Sequence, residues 1–132
     1  MARNRASARK AGTAFETLIA AYLREHVDDR IERRRLTGSK DRGDIAGLRH
    51  MSQPLAVECK NTTRTDLAGW ADEADIARGN SDSLAGVVVS KRHGRGAAKD
   101  QWVHMTLEEF VAILNGSRDH TDENRTQLGE TQ

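Results

Sequence analysis

A mixed α/β sheet with helices packed against it is the fold class this sequence predicts, and three observations carry the prediction. Apolar residues recur at helical spacing near the N-terminus, two runs in the middle read as a hairpin, and "AGVVVS" reads as a buried strand between two further helical patterns. At 132 residues, with 36 % hydrophobic, 31 % charged and only 4 % aromatic content, the chain suits one domain with a modest core.

From about Ala8 to Val27, the residues Phe15, Leu18, Ile19, Tyr22 and Leu23 fall on one stripe of an amphipathic helix, with Glu16 beside it. The segment "DDRIERRRL" predicts a short charged strand, and "TGSKDRG" is rich in turn formers. Asp44 to Leu48 and Leu55 to Lys60 predict two strands of a hairpin joined by "RHMSQP", where Pro54 suits a turn or a strand entry. "TDLAGWADEADIARGN" predicts a helix capped by Thr65 or Asp66, with Leu67, Trp70 and Ala74 inward and Gly79 and Asn80 at its end. "AGVVVS" predicts the most buried strand. The basic turn "KRHGRGAAKD" then leads to the short strand "QWVHM" and to a last helix, "TLEEFVAIL", with Thr106 and Glu109 spaced as a capping box. Residues 1–8 read as a basic arm, 9–115 as the folded domain, and 116–132, which lack an apolar pattern, as a disordered tail.

Cys59 is the only cysteine, so no disulfide framework is possible; with no apolar run of membrane-spanning length and no signal-peptide core, a cytoplasmic setting is expected. The net charge of +1 conceals an asymmetry: residues 1–60 carry 13 Lys or Arg against 8 Asp or Glu. Arg3, Arg5, Arg9 and Lys10 make up the arm; Arg30, Arg33, Arg34, Arg35, Lys40 and Arg42 surround the approach to Asp44; Lys91, Arg92 and Arg95 follow the buried strand. A polyanion such as nucleic acid suits that distribution, because neutralising phosphates with Lys and Arg dominates such binding.

Alternation along Leu55 to Lys60 sends Val57 and Cys59 to one face and Ala56, Glu58 and Lys60 to the other, with Glu58 and Lys60 about 6.7 Å apart along the strand. The hairpin partner can bring Asp44 alongside. Ionised side chains at the end of an apolar strand resist burial unless they are paired or used. Mg²⁺ takes oxygen ligands, commonly one or two carboxylates with waters and phosphate oxygens, a set that Asp44 and Glu58 could supply with the Val57 or Cys59 carbonyl. Such an ion activates water and neutralises a phosphodiester, Lys60 could orient or deprotonate that water, and Glu16 could complete the metal shell.

"FE" in the first helix, "GDI" opening a strand and "AVECKN" closing the next resemble the motifs of the PD-(D/E)XK nuclease superfamily, and "AGVVVSKRHGRG" with "WVHMTLEEFVAIL" is similar to the distal half of small phage or archaeal-type Holliday junction resolvases. The resemblance covers about residues 9–114. It implies a restriction-endonuclease-like mixed central β-sheet flanked by helices, Glu16, Asp44, Glu58 and Lys60 as catalytic residues, and the three carboxylates among them as metal ligands. It further implies Mg²⁺, with Mn²⁺ as a substitute, and phosphodiester hydrolysis in branched DNA by a homodimer. Gly43 departs from it by standing where the name-giving motif has proline. The outer face of "AGVVVS" and the Trp70 helix are the expected dimer contact. A restriction-like or repair nuclease on duplex DNA is the alternative enzyme, and a non-catalytic DNA-binding module is the alternative without chemistry. Cys59 and the two tryptophans are expected in the core, and the five histidines show no ligand spacing.

Overall fold

Residues 4–35 and 38–122 are described by the computed structural model. Its elements are α1 (Arg5–His26), β1 (Glu32–Arg33), β2 (Ile45–Ala46), β3 (Arg49–His50), β4 (Gln53–Lys60), α2 (Leu67–Ser81), β5 (Ala85–Ser90), β6 (Trp102–His104) and α3 (Leu107–Asn115), with one 3₁₀ turn at Ala98–Asp100. The fold is mixed α/β, as the periodicities predict. A four-stranded sheet runs in the order β3-β4-β5-β6, and a separate ribbon pairs β1 with β2.

β4 and β5 are parallel, with Glu58 opposite Val88 and Lys60 opposite Ser90, so α2 is the crossover that parallel neighbours require. β6 runs antiparallel to β5 and puts Trp102 opposite Ser90. Because paired residues share a face, alternation assigns two cores. Val57, Val87 and Val89 pack with Phe15 and Ile19 of α1, while Val88 packs on the other side with Trp70 and Ala74 of α2. α3 joins the first layer through Ala112, which meets Leu84 and Ala85. Every residue of β5 is buried. The expected dimer contact on its outer face is therefore corrected, because a central strand covered by helices on both faces has no outer face; the other expected contact, helix α2, buries Trp70 but leaves Leu67 and Ile76 exposed.

Several boundaries move for local physical reasons. Helix α1 starts at Arg5, because the Asn4 side chain accepts the Ser7 N–H at 2.8 Å and caps it; Arg5 is thus helical rather than part of an arm. The hairpin is tighter than "RHMSQP" suggests. Arg49 pairs with Pro54 and His50 with Gln53, leaving Met51 and Ser52 as a two-residue turn with φ of 52° and 65°, the geometry that follows strand twist. Thr106 does precede α3, but its side chain makes no cap bond. The expected capping box fails because Glu109 turns inward instead. It is buried, accepts the Gly86 N–H at 2.9 Å, and holds the Arg118 guanidinium at 3.0 Å.

That ion pair also revises the tail. Arg118 donates to the Leu84 carbonyl at 3.0 Å, and the buried Thr121 donates through its hydroxyl to the Arg118 carbonyl, so 116–122 form a structured extension of the domain. Gln53 donates to the Gly116 carbonyl at 2.6 Å and His50 to that of Ile113 at 3.0 Å, fastening the hairpin to the end of α3. The remaining tail residues, 123–132, lie outside the described residues. No helix among the described residues is long and apolar enough to cross a membrane.

Candidate active site

Asp44 is held against β4 by main-chain groups. Its own N–H donates to the Val57 carbonyl at 2.6 Å, its Oδ2 accepts the Cys59 N–H at 2.7 Å, and its carbonyl takes the Arg34 N–H at 2.8 Å. The carboxylate thus completes the edge of β4 where β3 has ended. Gly43 makes this approach possible. Its φ is +95°, and a Cβ there would lie 2.9 Å from the Val57 carbonyl oxygen. Proline, locked near −65°, cannot adopt that angle, so glycine at this position reflects a distinct local path of the chain.

Glu58 projects beside Asp44 from the face that β4 shows to α2, and keeps only 5 % of its surface exposed. Burial raises its proton affinity far above the ordinary carboxylate range, and the neighbouring Asp41 and Asp44 raise it further. Asp44 is raised as well, chiefly by burial, against the opposing effect of the Cys59 N–H. Glu58 Oε1 is buried with no hydrogen-bond partner. An orphaned acceptor between crowded carboxylates is poorly served by the protein alone, and a cation would satisfy it.

Glu16 reaches toward this pair from α1. Burial and the Asp44 charge raise its pKa, while its Oε1 accepts from Arg33 Nε at 3.0 Å. Lys60, two residues beyond Glu58, is bound through Nζ to Glu73 of α2. It remains close enough to favour the ionised form of Asp44. All four sequence-predicted residues therefore gather at one end of β4, although Glu16 and Lys60 are each engaged by another side chain. Among the described residues, no group of three or more His, Cys, Asp or Glu stands in metal-holding geometry. Asp44 and Glu58 as a pair still fit a hard divalent cation, which needs only one or two carboxylates when waters and phosphate oxygens complete its shell.

Asp41 and Glu73 were not anticipated. Asp41 lies in the basic loop three residues before Asp44, where a second acid is the only sequence signal; it accepts the Gly43 N–H at 2.8 Å and bears on Glu58. Glu73 carries no signal, since only the packing of α2 on β4 brings it to Lys60. Cys59 packs at the edge of the α1 core, and burial together with the charges of Asp44, Glu16 and Glu58 raises its thiol pKa, which favours the protonated thiol.

A cleft of about 290 Å³ opens over Glu16 and Asp44, lined also by Arg9, Arg33, Arg34, Arg35, Lys40 and Arg42. Six basic side chains around three acids, Glu16, Asp41 and Asp44, give the cleft a predominantly positive wall over a carboxylate floor. Arg34 Nε is buried there without a partner. Arg5 and Lys10 sit exposed on α1 outside this lining, and Arg3 lies outside the described residues. Lys91, Arg92 and Arg95 occupy the turn after β5, which is tied to the site by the Lys91 N–H bond to the Lys60 carbonyl at 2.9 Å. Comparison with known proteins finds no counterpart: no family model, no curated protein and no solved structure matches the chain.

Proposed function

We propose that this chain is a divalent-metal-dependent DNA endonuclease with a restriction-endonuclease-like fold of the PD-(D/E)XK type, cutting branched DNA such as four-way junctions as a homodimer. The observation that carries the reading is the carboxylate pair Asp44–Glu58, with its orphaned buried oxygen, of which Asp44 lines a cleft walled by six basic residues. Asp44 and Glu58 hold the metal, and Glu16 reaches it directly or through water. When bound, Mg²⁺ or Mn²⁺ supplies an activated water and neutralises charge on the phosphodiester. Lys60, held at the strand end by Glu73, donates to the developing charge or orients the attacking water. Arg9, Arg35, Lys40 and Arg42 bind the flanking phosphates and fix the strand over the acids.

The second copy docks on α3, where Leu107, Phe110 and Leu114 are all exposed at helical spacing. A two-fold pair carries two carboxylate sites for two opposed strands. Purified protein incubated with a labelled four-way junction and with a duplex of the same sequence, with Mg²⁺ or with EDTA, tests the reading. The expected result is paired nicks in the junction that need Mg²⁺ and vanish in Asp44→Asn. Equal cutting of the duplex assigns the protein to the restriction-like or repair nucleases. Tight DNA binding with no cutting under any divalent ion makes it a binding module.

A further inference from the structure

We propose that Trp102, with Arg92 stacked on it, is a platform for an unpaired nucleobase of the substrate. The proposal rests on the nuclease reading and adds to it a second point of grip. Three strands define the geometry: Lys60 is opposite Ser90 and Ser90 is opposite Trp102, so all three side chains share the α2 face of the sheet. Two strand spacings put Trp102 about 10 Å across from Lys60. That is about three base steps along a strand at 3.4 Å each.

Trp102 keeps 48 % of its surface exposed, whereas Trp70, the only other tryptophan, keeps 8 % and serves the core. The Arg92 guanidinium lies 4.6 Å from the centroid of the Trp102 ring. A cation over an indole is a stacked surface already assembled, on which any base can continue the stack, with the charge left for the adjoining phosphate. The turn that presents it is fixed. Gln101 accepts the Arg92 N–H at 2.6 Å and donates to the carbonyls of Arg95 and Ala97 at 3.0 and 2.7 Å. A second copy of the chain is a poorer occupant, because a two-fold contact at this point sets Arg92 and Arg95 near their own images, and like charges oppose association. Unpaired or unstacked bases are what a frayed end, a flap or the opened centre of a junction offers and an intact duplex withholds. The platform therefore selects for DNA with bases out of the stack.

The test uses the full chain without divalent ions, so that nothing is cut, and reads both tryptophan emission and affinity for oligo(dT), for a four-way junction and for duplex. Oligo(dT) should quench the wild-type emission, and Trp102→Phe should abolish that quenching while keeping affinity within about threefold, since phenylalanine also stacks. Trp102→Ala should weaken oligo(dT) binding by about 5- to 150-fold and duplex binding far less. Unchanged oligo(dT) affinity in Trp102→Ala overturns the proposal. So does an emission that shifts with protein concentration alone, which would assign the ring to a contact between copies. Cleavage by the wild-type protein in Mg²⁺, run in parallel, separates the two readings: cutting without quenching removes the platform and keeps the nuclease, and quenching without cutting does the reverse.

Discussion

Glu58 stores its function as a misplaced proton. In the metal-free fold its pKa lies above the ordinary glutamate value of 4.5, which holds for the unfolded chain, so from that pH upward the native state binds more protons than the unfolded one. Stability must therefore fall as pH rises above about 4.5, until the native carboxyl ionises too. Glu58→Gln removes this dependence. In EDTA its melting midpoint should exceed that of the wild type at pH 8 and approach it at pH 5, and thermal denaturation at the two pH values checks this. Mg²⁺ should reverse the order. It displaces the proton, so wild-type stabilisation by Mg²⁺ should grow between pH 6 and pH 8.5, whereas Glu58→Gln should gain little and lose at least about 100-fold in cleavage rate. At this scale the sequence was most informative. The alternation through Val57, Glu58, Cys59 and Lys60 is a local property, and it placed the acid and the lysine on one face. The partners Asp41 and Glu73 depend on a loop path and on helix packing, which no local pattern encodes.

Two elements hold the site by means other than their own propensity. The loop before β2 depends on Gly43, where an added side chain meets both a positive φ and the Val57 carbonyl. Gly43→Ala should cost roughly 1–3 kcal/mol in urea unfolding, and should lower Mg²⁺ affinity as Asp44 is pushed off β4. Helix α3 depends on Glu109, whose buried carboxylate is answered by Arg118 from the segment after the helix. Arg118→Ala leaves that charge only the Gly86 N–H and the Arg78 guanidinium at 4.0 Å, and should cost about 2–3 kcal/mol, whereas ending the chain after Asp122 should cost little. A Thr-x-x-Glu spacing was legible in the sequence, but its meaning was not. The competing bonds come from Gly86 and Arg118, both remote from the helix start.

For the whole molecule, charge decides affinity and apolar area decides assembly. Replacing Arg9, Arg35 and Lys40 together by Gln removes up to three phosphate contacts; the log–log salt slope of DNA binding should flatten by about 2–3, with the single-turnover rate at saturation little changed. Phe110→Glu should yield a monomer in sedimentation that nicks one strand of a junction without the paired second nick. The order of helices and main strands was legible because long periodic segments are decided by burial. The two faces of β5 were not, since a strand buried on both sides shows no alternation from which to assign them.

The clasp between the hairpin and the end of α3 has a further consequence, for the order in which the chain comes apart. Gln53 to Gly116 and His50 to Ile113 each close a loop of 63 residues, so neither the hairpin nor the last helical turn keeps these bonds if the other opens. Backbone amides at the two ends of that loop should then share one opening free energy in native-state hydrogen exchange, as a single cooperative unit. The acids of the cleft, Glu16, Asp41 and Asp44, lie on the stretch of chain before this unit, and local opening there does not require the clasp to release.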